Sequence, residues 1–176
     1  MKIILLAGFS GAGKDTVASI LVKQKGYTRF AFADPIKEEM AAQLNLPVEL
    51  FHSVEGKKRV VNGKTLRQHC IDHGEFKRSQ DLEYWVKETA KRIAESGKEK
   101  IVISDWRLLP ELFGLQKAFP TAQCIPIRVE KSEQYVSPVP DFTEYGLLGF
   151  PFAATVHNDC IYLDGLIERI NKIQLW

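Results

Sequence analysis

The sequence predicts an α/β fold, a parallel sheet with helices on both faces, on the strength of three observations. Residues 2–7, Lys-Ile-Ile-Leu-Leu-Ala, form a short and almost wholly apolar run, the pattern of a strand buried on both faces. Similar runs at residues 101–104 and 124–129 alternate with stretches whose apolar residues recur at helical spacing. A glycine-rich turn and an aspartate, Asp105, stand at the ends of two of these strands, where sheets of this class carry their ligands.

The first strand stops at Gly8-Phe9-Ser10-Gly11-Ala12-Gly13-Lys14-Asp15-Thr16, and Val17, Ala18, Ile20 and Leu21 then follow a helical period. A strand, a glycine-rich turn and a helix, with lysine at the last step of the turn, is the P-loop context. Gly8, Gly11 and Gly13 permit backbone conformations that a side chain blocks. Successive N–H groups can then point at a phosphate chain lying on the helix N-terminus, where the dipole favours anions. Lys14 adds a mobile charge for the β- and γ-phosphates. Gly8, Ser10, Gly11, Ala12, Gly13, Lys14, Asp15 and Thr16 are therefore the candidate ATP-binding residues. One position departs from the plain pattern G-x-x-x-x-G-K-[ST]. Asp15 stands where a magnesium-binding hydroxyl is expected. Either Thr16 supplies that hydroxyl one step later, or Asp15 helps hold the metal, directly or through water.

The remaining elements follow in order. Gly26 ends the first helix, and residues 28–32 read as a second strand. Asp34 is the expected N-cap of the next helix, with Pro35 at its first position, and Asn45 and Pro47 stop it near Leu44. Thr65 caps a short helix over residues 66–72 that Gly74 ends. Ser79 opens a longer one, with Leu82, Trp85, Val86, Thr89, Ala90 and Ile93 on one face and Gly97 closing it. A third strand leads to Asp105, Pro110 begins a helix running to Phe119, and residues 124–129 form a fourth strand in which Pro126 is awkward. No clean period survives from Glu130 to Ala154. A last strand is expected at residues 160–163, then a closing helix carrying Leu166, Ile167, Ile170 and Ile173.

Composition narrows the class. At 176 residues the chain is one domain with room for a sizeable core, and a formal charge of +2 gives no global argument for nucleic acid or a membrane surface. The basic residues are uneven: 13 of the 24 Lys and Arg lie between Lys57 and Arg107, which marks that stretch as the place for a second anionic group. Cys70, Cys124 and Cys160 are widely spaced and odd in number, as expected for reduced thiols in a cytosolic protein. Lys2 is followed by only five apolar residues before the turn, unlike a signal peptide, and no segment is long enough to span a bilayer. The expected location is the cytoplasm.

A P-loop alone means nucleotide, not reaction. Asp105 ends an apolar strand, as a carboxylate must to reach a magnesium ion beside the loop; a solvated strand end or a helix cap is its plain alternative. Arg107 follows two residues on, and Arg67 and Arg78 flank the short middle helix. Planar guanidinium groups suit bidentate capture of a monophosphate, although surface charge explains Arg78 about as well. Asp34 and Lys37 lie at the end of the second strand, beside the expected cleft, and Asp34 is equally well read as a cap. Trp85 belongs to an apolar helix face, where core packing outweighs stacking on a base. His69 and His73 are four apart and could share a zinc ion, but no third ligand is evident.

These residues resemble a family. Gly8 to Thr16, Phe32-Ala33-Asp34-Pro35-Ile36-Lys37, Tyr84-Trp85-Val86 and Ile103-Ser104-Asp105-Trp106-Arg107 are similar to stretches of the phage deoxynucleoside monophosphate kinases. His157-Asn158-Asp159 is similar to that family's entry into its C-terminal strand, although Cys160 replaces an expected glycine. The resemblance implies a P-loop NTPase fold of the nucleoside-monophosphate-kinase type, a three-layer sandwich with a helical monophosphate-binding insertion and a lid. The core is expected at about residues 1–33, 98–129 and 155–176, the insertion at 34–97 and the lid at 130–154. It implies transfer of the ATP γ-phosphate to a 2′-deoxynucleoside 5′-monophosphate, with magnesium, in the host cytoplasm for a phage-encoded chain. The acceptor set would be Asp34, Lys37, Arg67, Arg78, Arg107 and Trp85, the metal set Asp15, Thr16 and Asp105, and the catalytic set Lys14, Asp105, Arg107 and Arg128.

The lid departs from that pattern. Between Val129 and Glu168 the only Lys or Arg is Lys131, which leaves Arg128, just before the segment, as the one strong candidate to offset charge on the transferring phosphoryl group. Phe142, Tyr145, Phe150 and Phe152 make the stretch aromatic instead, either a water-excluding flap or a packed loop. The rival readings are a kinase for another small acceptor, such as dephospho-coenzyme A or phosphomevalonate, and a nucleotide-binding regulator without an acceptor. Dephospho-coenzyme A kinases usually carry proline after the aspartate that Trp106 follows here, and a regulator has no need of the arginine set. The base accepted, ribose exclusion and oligomeric state, a homodimer included, are left open by the sequence.

Overall fold

The computed structural model describes residues 1–131, 145–159 and 162–174. Its central strand is β1 (Lys2–Ala7), buried from Ile3 onward. On one side β1 pairs in parallel with β5 (Lys100–Ile103), Leu5 opposite Ile103; on the other it pairs with β6 (Gln123–Glu130), Ala7 opposite Arg128. β2 (Thr28–Phe30) and β7 (Ala154–His157) complete a five-stranded parallel sheet among the described residues, in the order β2-β5-β1-β6-β7. Helices α1 (Lys14–Lys25) and α8 (Leu163–Lys172) cover one face. Their Val17, Leu21, Leu166 and Ile170 pack on Ile4, Leu6, Val102, Ile127 and Val129. The two-residue period sends Ile3, Leu5, Ile101 and Ile103 to the other face, where they are equally inaccessible. Burial on both faces explains why these strands read as unbroken apolar runs.

The chain divides into two compact units, Met1–Ala31 with Ile93–Trp176, and Phe32–Arg92. The first holds the sheet, α1, α7 (Leu109–Ala118) and α8. The second holds α2 (Ala33–Leu44), α3 (Glu49–His52), α4 (Val54–Lys58), a hairpin of β3 (Val60–Val61) and β4 (Lys64–Thr65), α5 (Leu66–Gln80) and most of α6 (Tyr84–Ser96). It has its own core: Met40, Ala41, Phe51 and Leu66, with Leu44, Leu46, Val61 and Cys70 packed around them. Asn62 and Gly63, at φ 50° and 80°, make the two-residue turn of the hairpin, whose twist needs positive φ at both positions. α3, α4 and this hairpin were not expected.

Several expectations are corrected. α2 begins at Ala33, because Phe32 already has helical dihedrals; Asp34 is therefore not the N-cap, and its carboxylate pairs with Lys37 Nζ at 3.3 Å. α5 does not end at Gly74 but runs on to Gln80. A Cβ on Gly74 would stand 3.4 Å from Ile36 Cδ1, and the Gly74 carbonyl accepts a hydrogen bond from Trp85 Nε1 at 3.0 Å. This close packing outweighs glycine's helix penalty of about 1 kcal/mol. Ser79 belongs to the end of α5 and Leu82 is 78% exposed, while Trp85, Val86, Thr89, Ala90 and Ile93 are buried as the period requires. The last strand is β7, earlier than expected, and Leu163 opens α8; Cys160 and residue 161 lie outside the described residues.

Pro126 stands inside β6, opposite Leu5. Its carbonyl accepts from the backbone N–H of Ala153, on the β7 side, at 2.9 Å. In a strand the N–H and C=O of one residue point the same way, so the missing donor also faces β7, whose ladder starts one residue later at Ile127↔Ala154. No ladder bond is lost.

Candidate active site

The loop between β1 and α1 is shaped by close backbone approaches. Gly8 has φ 142°, and a Cβ there would lie 2.1 Å from the Val129 carbonyl oxygen at the end of β6. Gly13, the N-cap of α1, has φ 94°, and Val17 N–H donates to its carbonyl at 3.0 Å. Between them Ala12 is buried, and its N–H donates to Phe9 O at 3.1 Å. Lys14 Nζ bends back over the loop and donates to Gly8 O at 2.7 Å and Phe9 O at 3.1 Å. Ser10 and Gly11 complete the turn, Gly11 at φ 83°.

The expected metal ligands are distributed along one end of the sheet. The Asp15 carboxylate is 86% exposed and lies 3.9 Å from Arg29 Nη2. Thr16 is on the first turn of α1, its Oγ1 about one van der Waals contact (4.0 Å) from the place of a Gly13 Cβ. Asp105 follows β5. Continuing the β1–β5 register by two residues sets it beside Ala7, the last residue before the glycine turn. The set offers only oxygen donors, one hydroxyl and two carboxylates, which suits a hard cation such as magnesium.

Arg107 lies in the connection from β5 to α7. The Glu111 carboxylate accepts from the backbone N–H groups of Arg107 and Leu108, at 3.0 Å each, and so caps α7. Arg128 Nε pairs with Glu130 at 2.6 Å and its guanidinium lies over the Phe152 ring. Of the expected lid, Phe142 lies outside the described residues. Phe150 and Phe152 pack edge-on against the buried Trp106, and Tyr145 packs on Phe9 of the glycine loop. Phe150 and Phe152 are half-buried in this packing, whereas Tyr145 stays exposed.

In the second unit, the expected acceptor residues fall on α2 (Asp34, Lys37), α5 (Arg67, Arg78) and α6 (Trp85). Lys37 Nζ contacts Asp34 and, at 3.4 Å, His52 Nδ1. Arg67, Cys70, Gly74 and Arg78 are spaced three, four and four apart and share one face of α5. The Arg78 guanidinium nitrogens lie 3.8 and 3.9 Å from where a Gly74 Cβ would stand, so this glycine makes room for the guanidinium as well as for α2. Burial pushes the Cys70 thiol up, while the charges of Lys37 and Lys57 pull it down. Arg67 is exposed at the N-terminal turn. Trp85 is 3% exposed, with Tyr84 edge-on to its ring and His73 beside it.

Beneath this face Glu39 gathers three partners: His73 Nε2 at 2.7 Å, the Tyr84 hydroxyl at 3.1 Å and Lys77 Nζ at 3.8 Å. The hydrogen bond to Tyr84, with Glu39 adding to it, holds the Lys77 ammonium above its usual range. His73 therefore does not converge with His69, whose Nε2 contacts Val61 O at 2.8 Å, and no group of three metal-capable side chains occurs among the described residues. Arg29, Lys57 and Glu39 were not singled out, and Asn158 was named only as part of the family-like His157-Asn158-Asp159. For Asn158 that resemblance was the usable signal; its place just after β7 and beside the glycine turn is set by the structure.

A glycine loop opening a helix from the central strand of a parallel sheet, with its lysine folded over it and an aspartate just past the end of the neighbouring strand, defines a P-loop nucleotide-binding protein. Solved structures with similar folds include a Chloroflexus aurantiacus protein (15% identity, 97% of this chain and 94% of that one, TM-score 0.50). A Janibacter sugar kinase (13%, 96% and 91%, 0.49) and a Sinorhizobium meliloti gluconokinase (12%, 96% and 89%, 0.47) are also similar. At these identities the likeness concerns the fold alone. No curated protein matches the sequence. The family described as deoxynucleotide monophosphate kinase matches residues 2–93, just over half of the chain, and the protein belongs to that family. It is a kinase, and its acceptor is a deoxynucleoside monophosphate. No helix among the described residues is long and apolar enough to cross a membrane.

Proposed function

We propose that the protein transfers the γ-phosphate of ATP to a 2′-deoxynucleoside 5′-monophosphate, giving ADP and the deoxynucleoside diphosphate. The observation that carries this reading is the glycine loop at the start of α1, with Lys14 Nζ drawn over it onto Gly8 and Phe9. The amides of residues 8–16 hold the donor phosphates, and Lys14 follows the β- and γ-oxygens. Thr16, Asp15 and Asp105 would hold magnesium, directly or through water. Bound with ATP, that ion supplies charge neutralisation on the phosphate oxygens.

Arg78, Arg67, Lys37 and Arg107 hold the acceptor phosphate, with Asp34 orienting Lys37 through their 3.3 Å pair. Phosphoryl transfer asks mainly for positioning and charge stabilisation. A monophosphate oxygen is already ionised near neutral pH, so Asp105 is hardly needed as a base. Arg128 is engaged by Glu130 and lies over Phe152; its part is a fixed positive charge beside the loop. Trp85, buried under Tyr84 and His73, packs the helix pair rather than a base. The reaction is placed in the cytoplasm, where ATP and deoxynucleotides are available.

The test is consumption of ATP with each deoxynucleoside monophosphate in turn, then with the ribonucleotides. Turnover with at least one deoxynucleotide, dependent on magnesium, is expected. ATP binding without turnover on any of them would sink the reading.

A further inference from the structure

Within the sheet unit the glycine loop is held from two sides. At one end the Val129 carbonyl occupies the space beside Gly8. At the other, Asn158 Nδ2 donates to Ala12 O at 2.9 Å and lies 2.1 Å from where a Gly13 Cβ would stand. Asn158 is itself anchored. Its backbone N–H donates to Glu130 O at 2.7 Å, and Arg169 Nη1 donates to the carbonyl of the preceding residue, His157, at 2.6 Å.

This contact falls on one peptide, Ala12–Gly13. In a trans peptide the C=O and N–H point in opposite directions. Holding Ala12 C=O on the Asn158 amide therefore turns the Gly13 N–H away from Asn158. Gly13 has no side chain and stands at φ 94°, so its own conformational preferences do little to stop the peptide from flipping. A peptide that glycine leaves free to turn is thus tied down by a side chain from the far end of the chain.

We propose that Asn158 is a positioning residue for the donor phosphates: by holding the Ala12 carbonyl, it keeps the Gly13 N–H turned toward the bound anion. The inference rests on the reading of the glycine loop as the phosphate site. It assigns Asn158 no contact with the nucleobase. Replacing it removes a preset amide, so affinity falls for nucleotides with a phosphate chain and not for the nucleoside.

The experiment uses the full-length enzyme with Asn158→Ala and with Asn158→Asp, which keeps the shape but cannot donate. Steady-state kinetics give KM for ATP and for the acceptor, and binding of ATP, ADP and adenosine is measured directly. Asn158→Ala should raise KM for ATP about tenfold, the effect of one lost hydrogen bond to a binding group. Asn158→Asp should raise it further, because it also adds negative charge. The acceptor KM, the adenosine affinity and the melting temperature should stay near those of the parent. An unchanged KM for ATP overturns the proposal, and so does an equal loss for adenosine, which would mean that Asn158 reads the base. Loss of active enzyme and melting temperature together, with both KM values unmoved, would show a merely structural role and also overturns it. Lys14→Ala run alongside separates the levels. If it also leaves ATP binding intact, the phosphate-site reading itself is wrong; if it abolishes binding while Asn158→Ala does nothing, only this inference fails.

Discussion

The glycine loop and the basic face of α5 are both built to meet phosphate, yet by opposite means. The loop presents backbone. Its shape is set by approaches that leave no room for a Cβ, the Val129 carbonyl on Gly8 and the Asn158 amide on Gly13. The second unit presents long side chains, Arg67 and Arg78 on α5 and Lys37 on α2, the last steadied by Asp34 and His52. Backbone amides hold one geometry and cost little to organise on binding, which suits a phosphate chain that is the same in every turnover. Side chains on helices can adjust, which suits an acceptor that carries a variable base.

That contrast can be broken in graded ways. The largest effect is expected for Lys14→Ala, which should lower turnover about a thousandfold, roughly 4 kcal/mol, with no change in melting temperature. Activity within a few-fold of the parent would mean that the loop is not the donor site. Next is a pair of glycines. Gly8→Ala drives a Cβ onto a backbone oxygen and should destabilise the fold by about 3 kcal/mol or more. Gly63→Ala, also at positive φ but with nothing within 4 Å, should lose only about 1 kcal/mol. Urea unfolding of both variants decides it, and equal losses would remove the claim that tertiary contact shapes the loop.

On the side-chain half, Arg78→Ala should raise the acceptor KM about tenfold to a hundredfold, the range for a charged hydrogen-bonding group, and leave the KM for ATP nearly unchanged. The reverse pattern would assign Arg78 to the donor. The smallest effect concerns Cys70 and Cys124, whose thiols are both pushed up by burial. Each should alkylate with iodoacetamide more slowly at about pH 8.5 than a free cysteine, and faster as pH rises. The folded chain keeps these protons to higher pH than the unfolded one. Their contribution to stability is therefore full below the unfolded thiol pKa and falls as pH rises through the window between the two values. A deoxynucleoside monophosphate should protect Cys70, on the basic α5 face, and not Cys124 in β6. Equal protection would argue against the α5 face as the acceptor site.

Much of the donor half was legible in the residues. Lys2 to Thr16 announces a strand, a turn and a helix because glycine spacing and apolar period are local properties, and Asp105 follows from its place after an apolar run. The acceptor half was less legible. Gly74 looks like a stop signal, yet the helix continues through it because α2 and Trp85 pack there. Ser79 looks like a start, yet the turn comes at Asp81, where the carboxylate accepts from Glu83 N–H at 3.0 Å. Asp34 looks like a cap, yet it serves Lys37.

By itself, then, the order of residues determined the class of fold, the glycine turn and the chemistry to be expected of it, because periodicity and turn preferences act over a few positions. Only the tertiary structure decided that Pro126 could lie in β6, that Glu39 would gather His73, Lys77 and Tyr84, and that Asn158 would hold a peptide 146 positions away. Each of those depends on which surfaces come into contact, and no local rule for the chain contains that information.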